Sequence, residues 1–365
     1  QEELKRFLHH GIEHTRYLAK DPCRQLPDAS RYYRGDLPDL QQFDVCFLTY
    51  DPDEKVALAR AVAEEVLGKD ERIISVESSY SDGESGSYRI ASNGFEGERR
   101  GTCFALSASV ALRGEGEARP SGFSYITSLR YDLLPKEGYG QLAYERALRK
   151  IGQRKAPTGR YTMVVDAFCV RQLLSPMVSA LYGPALHQQN SFLLNSLGKQ
   201  VGSPLFTLLD EPHLIGANGA RYFDGEGVAT RPMPVFDAGA LRTYYIDTYS
   251  ACKMKVEPTI ASPSLLVLSP GEKSQEELIA DVAHGLFVTA FNGGNCNSST
   301  GDFSYGIEGF LIEQGRLTQP VSEMVVTGNM LDLWQQLVAV GNDPRLESNW
   351  RIPTLTFEGI NASGC

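Results

Sequence analysis

The sequence predicts an α+β protein, in which an N-terminal antiparallel sheet with covering helices precedes a mainly antiparallel β domain with inserted helices. Two observations support this fold class. Apolar and polar residues alternate with period two between Arg72 and Leu134, as is typical of half-buried strands. Predicted strands and helices are also segregated along the chain, whereas a doubly wound parallel sheet would alternate them regularly.

The chain begins with helical patterns. Four apolar side chains share one face and predict a helix to about Ala19: Leu4, Phe7, Leu8 and Ile12. A connection rich in Pro and Asp follows. Pro52-Asp-Glu then opens a second helix, because acidic residues stabilise the positive end of the helix dipole.

Strands are predicted next at 72–80, 87–93, 101–114 and 123–134, with Asn93-Gly94 as a turn signal. A helix over 139–153 is expected to cover this sheet. The segment 153–159 contains Pro and Gly and indicates a linker. We therefore expect two domains, 1–156 and 157–365.

The second half mixes strands and helices. Its predicted strands lie at 160–167, 205–212, 233–239, 240–247 and 351–359, with a hairpin turn at Asp237-Ala-Gly239. Its predicted helices lie at 170–185, 188–201, 271–285 and 330–340. A glycine-rich segment that ends in a hairpin occupies 291–323.

Charge and hydropathy exclude two classes of partner. The net charge is -10, and no basic stripe is present to neutralise phosphates, so direct nucleic-acid binding is not expected. The densest basic run, Arg146 to Lys155, fits the solvated face of a helix. No apolar run reaches the length of a membrane span.

The seven cysteines are scattered, odd in number and without a CxxC pair. They predict reduced thiols rather than a disulfide framework or a zinc ribbon, and hence a cytoplasmic protein. The sequence starts without Met in an amphipathic segment that is not a secretory signal. We expect it to start inside a longer protein.

Histidine motifs give weak metal signals. His10-Gly-Ile-Glu13-His14 matches H-x-x-E-H, which places two imidazoles on one helical face. Gly11 interrupts this motif and no third ligand follows it, so an ordinary surface helix is the favoured interpretation. His187 lies between apolar helical stretches, where a structural role is favoured.

The segment from Gly294 to Gly301 has the composition of a phosphate loop but lacks its Lys, and nearby Asp302 and Glu308 are acidic. Cys296 has no adjacent base to activate its thiol. Glycines permit close backbone approach, so the strand from Phe303 can pair with an extended peptide. A simple turn between strands is the alternative. The candidate peptide-approach or interface residues are Gly293, Gly294, Asn295, Thr300, Gly301, Asp302, Phe303 and Tyr305.

The order of features from Asn292 to Pro344 carries a family resemblance. A glycine loop, TGDFSYG, the G-F-L-I-E-x-G hairpin, a P-V turn, TGNM and VGNDP follow one another. This order resembles the TldD/PmbA family, the "modulator of DNA gyrase" proteins. YFDGEGVAT and ALRTYYIDTYSACKM fit the same family. The family normally has a further N-terminal strand-and-helix portion, which we expect domain 1–156 to lack.

The resemblance implies a metalloprotease system that cuts small or unfolded peptides. Its functions include the maturation of a gyrase-targeting peptide antibiotic and the degradation of an antitoxin. A TldD-type subunit holds zinc through HExxxH and a late cysteine, while a TldE/PmbA-type subunit lacks these ligands and pairs with it.

Aligned through Gly183, the two histidine positions of the family motif fall on Ser179 and Pro184, and the glutamate position falls on Ala180. The late cysteine would fall near Glu347 to Trp350, where there is none, and Cys365 lies too far along the chain. The resemblance therefore implies a PmbA/TldE-like chain with no catalytic residue, metal ligand or cofactor of its own. Zinc is expected in a TldD-type partner.

Three functional hypotheses remain open. The first is a non-metal-binding subunit that pairs with a TldD-type catalytic subunit and shapes its peptide channel. The second is an independent peptidase whose metal site uses unorthodox ligands, such as His187 with Cys296 or Glu308. The third is a homodimeric peptide-binding or gyrase-associated regulator.

Overall fold

The structure is a computed structural model that describes residues 1–364. Its N-terminal part contains helices α1 (Glu2–Thr15), α2 (Pro52–Glu64) and α3 (Tyr139–Arg149), and strands β1 (Ile73–Ile90), β2 (Glu96–Leu112) and β3 (Ser121–Ser128). Single 3-10 turns occur at Ala29–Arg31, Phe47–Thr49 and Tyr131–Leu133. Within the described residues, none of the helices combines the length and apolar character needed to span a bilayer.

The C-terminal part is richer in strands. The strands are β4 (Gly159–Val165), β5 (Leu208–Asp210), β6 (Met233–Asp237), β7 (Ala240–Leu241), β8 (Leu266–Leu268), β9 (His284–Cys296), β10 (Asp302–Glu313), β11 (Arg316–Asn329), β12 (Leu337–Val340), β13 (Trp350–Arg351) and β14 (Leu355–Ser363). The helices are α4 (Arg171–Ser179), α5 (Gly183–His187), α6 (Thr248–Met254), α7 (Gln275–Ala280) and α8 (Met330–Gln335). The predicted α+β class, with its inserted helices, is confirmed.

The N-terminal sheet is antiparallel with strand order β1-β2-β3. The two strands predicted at 72–80 and 87–93 are one strand, β1, because its polar middle stays extended by pairing with β2 along its whole length. The predicted turn is confirmed, and Gly94 supplies its positive φ of 100°. α2 and α3 cover the inner half of the sheet, where alternate β2 residues are buried.

Five strands of the C-terminal part form a closed ring. The order is β11-β10-β9-β4-β14, and β14 pairs back onto β11 between Thr327 and Asn361. β12 pairs with the first residues of β14, from Leu355 to Phe357, and only β4 and β9 are parallel within this sheet. Closure gives hydrogen-bond partners to the backbone N–H and C=O groups that an open sheet would leave unpaired at its two edges.

A second sheet with order β13-β8-β5-β6-β7 packs near this ring. The largest core contains aromatic residues from both regions. The Phe206 ring stacks on Trp334 at 4.1 Å and on Phe236 at 4.4 Å between centroids. All three side chains are fully buried. Burial of one such side chain contributes about 1.5–3 kcal/mol to folding.

Several predicted elements of the second half are wrong in detail. The segment 188–201 forms turns and no helix, because Asn195 and Gly198 adopt positive φ values. The predicted strand 240–247 is reduced to β7, although the hairpin turn at Ala238 and Gly239 is confirmed. The helix predicted over 330–340 ends at Gln335, and the chain then continues as strand β12.

The expectation of reduced thiols is wrong for one pair, because Cys23 and Cys252 form a disulfide. This bond ties the segment after α1 to α6. Asp21 reinforces the contact by accepting a hydrogen bond from Tyr249 at 2.9 Å and pairing with Lys253 at 3.0 Å. Cys46, Cys103, Cys169 and Cys296 are free, and Cys365 lies outside the described residues.

The disulfide also bears on the domain division. Residues from Asp21 to Tyr33 belong to the predicted N-terminal domain by sequence, yet they contact the C-terminal part, as in the hydrogen bond from Tyr33 N to Gly227 O at 3.2 Å. The division into two domains at residues 156 and 157 remains a prediction. The packing shows that segment 21–33 is shared between the two parts.

Candidate functional site

A cavity of about 460 Å³ lies between the end of α4 and the neighbouring ends of β9 and β10. We call it the α4 cavity. Ser179 and Ala180 line it from the helix side, and Gly294, Asn295 and Tyr305 line it from the strands. The structure thus brings together residues from the two groups that the sequence had indicated separately.

The amphipathic pattern of α4 places its polar residues at this cavity. Leu173, Leu174, Met177 and Val178 are buried in the main core. The opposite side of the same helix presents Gln172, Ser175 and Ser179 to the cavity. Because apolar residues recur at helical spacing, one face is fixed in the core and the hydroxyl groups are held at the wall.

The turn between β9 and β10 is held by its own polar groups. Asn297 accepts hydrogen bonds from the backbone N–H groups of Ser299 at 2.9 Å and, through its carbonyl, of Gly301 at 2.8 Å. Asp302 accepts from Thr300 Oγ1 at 2.7 Å and from Asn329 Nδ2 at 3.0 Å. The bonds from Asn329 and Thr300 lower the pKa of Asp302 and keep it ionised.

Asn190 connects this turn to the residues that follow α5. Its Oδ1 accepts hydrogen bonds from Ser298 Oγ at 2.7 Å and Ser299 Oγ at 2.6 Å. The Phe192 N–H donates to the Ser298 carbonyl at 2.9 Å. Asn190 and Phe192 both line the cavity, so these contacts hold its rim.

Not all the predicted residues line this cavity. Gly293, Thr300, Gly301, Asp302 and Phe303 lie in the adjoining turn and strands, and Pro184 lies in the first turn of α5. Gln172, Ser175, Asn190 and Phe192 line it without having been predicted. Their signal in the sequence is weak, because polar residues beside apolar helical runs are equally typical of a solvated surface.

The predicted pairing of an extended peptide with the strand from Phe303 is wrong as a mode of binding. β10 is hydrogen-bonded to β9 on one side and to β11 on the other, beginning with the partners of Phe303 at Cys296 and Gly328. A peptide cannot add to a strand with both edges occupied. A role of the loop residues in peptide approach or at an interface stays a prediction.

The cavity wall carries no accessible charge. Burial, and to a lesser extent the charge of Asp302, raise the pKa of the Cys296 thiol to about 11. Burial, followed by the neighbouring Cys296, raises the pKa of Tyr305 to about 12. Both groups are therefore protonated at neutral pH, and the remaining polar groups of the wall are hydroxyls and amides.

The zinc implied by the family does not fit the donor groups of this cavity. Ser179 offers a neutral hydroxyl and Ala180 no donor, whereas zinc sites use Cys, His, Asp or Glu. Cys296 is the single residue of those four types in the wall, and its thiol is held protonated. Across residues 1–364, no group of three or more such side chains is arranged to hold a metal.

The residues of the other metal hypotheses are engaged elsewhere. The His187 ring packs edge-on against Tyr249 at 6.0 Å between centroids. Glu308 pairs with Lys150 at 2.8 Å and accepts from Asn292 Nδ2 at 2.6 Å. In the H-x-x-E-H segment, Glu13 pairs with Arg16 on a helix without buried residues. These contacts give the unorthodox ligand sets no support.

Comparison with known proteins places this geometry in a family. Residues 47–151 match the PmbA/TldA metallopeptidase central domain, and residues 158–364 match the PmbA/TldA metallopeptidase C-terminal domain. The chain is 29% identical to Metalloprotease PmbA of Escherichia coli O157:H7, over 99% of this chain and 80% of that relative.

Solved structures agree with these matches. A protein from Bacteroides thetaiotaomicron, described as a candidate modulator of DNA gyrase, is 60% identical with a TM-score of 0.99, covering 100% of this chain and 83% of that one. TldE from Thermococcus kodakarensis shares the fold with a TM-score of 0.85 at 19% identity, over 100% of this chain and 85% of that one. Because the C-terminal family model alone matches more than half of its residues, the chain belongs to the TldD/PmbA family of metallopeptidases.

Proposed function

We propose that this chain is the PmbA/TldE-like subunit of a TldD/TldE-type peptidase system that acts on small or unfolded peptides. The observation that carries this proposal is the α4 cavity. The family resemblance assigns the zinc motif to positions beginning at Ser179 and Ala180, and these residues line a cavity whose wall has no set of metal ligands. In this proposal, the cavity contacts the peptide without holding a metal.

The donor set suits a peptide backbone. Ser175, Ser179 and Asn295 supply hydroxyl and amide groups that both donate and accept hydrogen bonds, as the N–H and C=O groups of an extended peptide require. Phe192 and Tyr305 supply apolar surface beside them. A neutral wall of this kind holds peptides of varied sequence, because it recognises the main chain rather than a particular side chain.

The catalytic chemistry in this proposal belongs to a partner. A TldD-type subunit would hold the zinc and cut the peptide, while this chain would present or retain the substrate beside it. A homodimer is the alternative assembly, in which the same cavity serves a binding function. The predicted cytoplasmic location rests on reduced thiols, and the Cys23–Cys252 disulfide weakens that argument because such bonds are rare in reducing compartments. Thiol trapping during cell fractionation tests the location: Cys23 and Cys252 trapped as thiols in the cytoplasmic fraction would support it, and an intact disulfide in another fraction would overturn it.

The test compares three preparations with added zinc: this chain alone, a TldD-type subunit from the same cell, and the two together. Cleavage of a fluorogenic unstructured peptide is the measurement. We expect cleavage to need the TldD-type subunit and to increase when this chain is added. Zinc-dependent cleavage by this chain alone would overturn the proposal.

A pair of matched variants tests the role of the cavity. Ser179→Leu removes a hydroxyl from the wall and narrows the cavity from an exposed helix position, so we expect it to reduce the stimulation of the TldD-type subunit strongly. Ser121→Leu makes the same change at an exposed position at the start of β3 and should have no effect. Equal stimulation by both variants would show that the cavity does not take part.

A further inference from the structure

A second, larger cavity of about 820 Å³ lies between the β1–β2 hairpin, the segment before α2, and the C-terminal part. We call it the arginine cavity. Arg99 of β2 and Arg221 of the C-terminal part both line it. They come from positions far apart in the chain, so their proximity is a property of the fold and not of a local basic run.

In the part of the chain that the structure describes, neither guanidinium group forms an ion pair with a carboxylate. Arg221 donates to neutral oxygens only, including Ser264 Oγ at 2.8 Å and the Ser262 carbonyl at 2.6 Å. Arg99 lies over the Phe223 ring at 4.9 Å. Within residues 1–364, no carboxylate forms an ion pair with either group, and Arg99 has no hydrogen-bond acceptor.

The two cations oppose one another. Burial, followed by repulsion from Arg221, lowers the pKa of Arg99, and Asp224 only partly offsets this effect. Burial also lowers the pKa of Arg221, although the charges of Asp210 and Asp224 partly offset this effect. Both carboxylates near Arg221 are already engaged, since Asp210 accepts from the Ser264 and Leu265 N–H groups and Asp224 accepts from Ala261 N. Because these donors are neutral, both carboxylates keep a charge that offsets Arg221, whereas Arg99 has no hydrogen-bonded or ion-paired acceptor of its own among the described residues.

The other charged residues of the wall form no ion pair with Arg99. Arg100 is already paired with Glu84 at 2.9 Å and lies over the Phe43 ring at 4.0 Å. Asp39 and Glu98 line the cavity but form no ion pair with an arginine. Arg99 is therefore the partly buried arginine of this cavity whose charge is desolvated without a bonded acceptor, which is unfavourable unless an anion binds it.

We propose that the arginine cavity binds a carboxylate of a short peptide, with Arg99 as the principal ligand. A guanidinium group binds a carboxylate through two parallel N–H···O bonds, which gives both charge and direction. Leu40, Tyr222 and Pro263 supply apolar wall for the rest of such a ligand. The volume falls in the range that small-molecule sites occupy. The choice of a peptide as the ligand rests on the proposed function, whereas the choice of a carboxylate as the recognised group follows from Arg99 and does not depend on that function.

Binding of three blocked tripeptides to the purified chain tests this proposal by isothermal titration calorimetry. The probes are acetyl-Ala-Ala-Phe with a free carboxylate, the same peptide as its amide, and acetyl-Ala-Glu-Phe amide. We expect the free acid to bind about tenfold or more tightly than its amide, and its affinity to fall as salt is added. If the third peptide, whose carboxylate is on its Glu side chain, binds, the site recognises any carboxylate. If it does not bind, the site recognises the carboxylate of the chain terminus.

Variants identify the ligand residue. Arg99→Gln should reduce affinity for the free acid to that for the amide, and Arg99→Lys should restore part of it. Arg130→Gln is the matched control, because its guanidinium is paired with Asp132 away from the cavity, and it should change affinity by less than about threefold.

Equal affinity for acid and amide in the wild-type chain would overturn the proposal, as would the absence of binding by either, and neither result depends on a variant folding. Unchanged affinity in Arg99→Gln would overturn the assignment to Arg99. Because these probes need neither zinc nor a partner, they separate a failure of this site from a failure of the proposed peptidase role.

Discussion

The α4 cavity and the arginine cavity differ in whether the polar groups of their walls have hydrogen-bond or ion-pair partners. Around the α4 cavity, hydroxyls and amides satisfy one another, as Asn190 does with Ser298 and Ser299, and the Cys296 thiol stays protonated. Around the arginine cavity, Arg221 is hydrogen-bonded to neutral oxygens and lies near Asp210 and Asp224, whereas burial of Arg99 is not matched by a bonded acceptor within residues 1–364. The first cavity is complete without a charged ligand, and the second is not.

This difference shows where to look for charge-dependent behaviour. The α4 cavity occupies the position at which the family resemblance expects zinc, yet its wall is neutral. The charge that a ligand can recognise lies instead beneath the β1–β2 hairpin. Changes to the α4 cavity should therefore act through shape, while changes near the arginine cavity should act through pH and salt.

The largest expected effect comes from Gly294 in the α4 cavity. Gly294 has a φ of 88°, and a Cβ there would collide with the Ser304 carbonyl oxygen and lie 2.9 Å from Tyr305 Cα. Gly294→Ala should lower the free energy of unfolding by about 3 kcal/mol or more, measured by urea denaturation. Gly293→Ala is the control: its φ is 66° but its Cβ would meet nothing within 4 Å, so about 1 kcal/mol is expected. Equal losses would show that backbone conformation alone decides both positions.

The second prediction concerns Asp210, beside Arg221. Burial raises the pKa of Asp210 to about 6 against the opposing N–H donors of Ser264 and Leu265. Because the unfolded chain releases this proton at lower pH, the carboxyl should reduce stability as pH rises from about 4 to about 6, by about 3 kcal/mol in total. The free energy of unfolding of the wild type, measured by urea denaturation relative to that of Asp210→Asn, should therefore decrease over that interval. Parallel pH curves would contradict it.

The third prediction concerns the reactivity of Cys296. Its pKa of about 11, set by burial and then by Asp302, leaves about a hundredfold less thiolate at pH 8 than an ordinary cysteine would have. Alkylation by iodoacetamide, followed by mass spectrometry, should therefore modify the exposed Cys46 well before Cys296. Comparable rates at the two cysteines would contradict the raised pKa of the Cys296 thiol.

The smallest effect is expected at Arg100, on the wall of the arginine cavity. Its pair with Glu84 is largely exposed, with 49% of the Arg100 side chain accessible to solvent. Arg100→Gln should lower the free energy of unfolding by about 1 kcal/mol or less, and the loss should shrink in high salt. Thermal melts at two salt concentrations measure it. A loss of several kcal/mol would place Arg100 in a network that the observed contacts do not contain.

The sequence predicted the elements that local patterns determine. The fold class, the turn at Asn93-Gly94 and the hairpin turn at Ala238 and Gly239 follow from period-two alternation and turn residues. The helix predicted over 188–201 failed because apolar spacing alone does not reveal that Asn195 and Gly198 take positive φ values. The single long β1 was missed because its polar middle depends on pairing with β2.

The candidate sites could be predicted only in part. The family resemblance indicated Ser179 and Ala180, and the glycine-rich segment indicated Gly294, Asn295 and Tyr305, but only packing places them around one cavity. The arginine cavity and the Cys23–Cys252 disulfide join residues from distant parts of the chain. Such pairs leave no local pattern, because their spacing is set by the fold.

The closed ring of strands has a consequence for how the chain is made. The ring is complete only when β14, the last strand, hydrogen-bonds to both β4 and β11. During synthesis, one edge of β4 therefore stays without its β14 partner until nearly the whole C-terminal part has emerged from the ribosome. Pairing between such distant strands is slow, because the intervening chain must first be brought together. The nascent chain should thus be most sensitive to aggregation and proteolysis just before residues 355–363 become available.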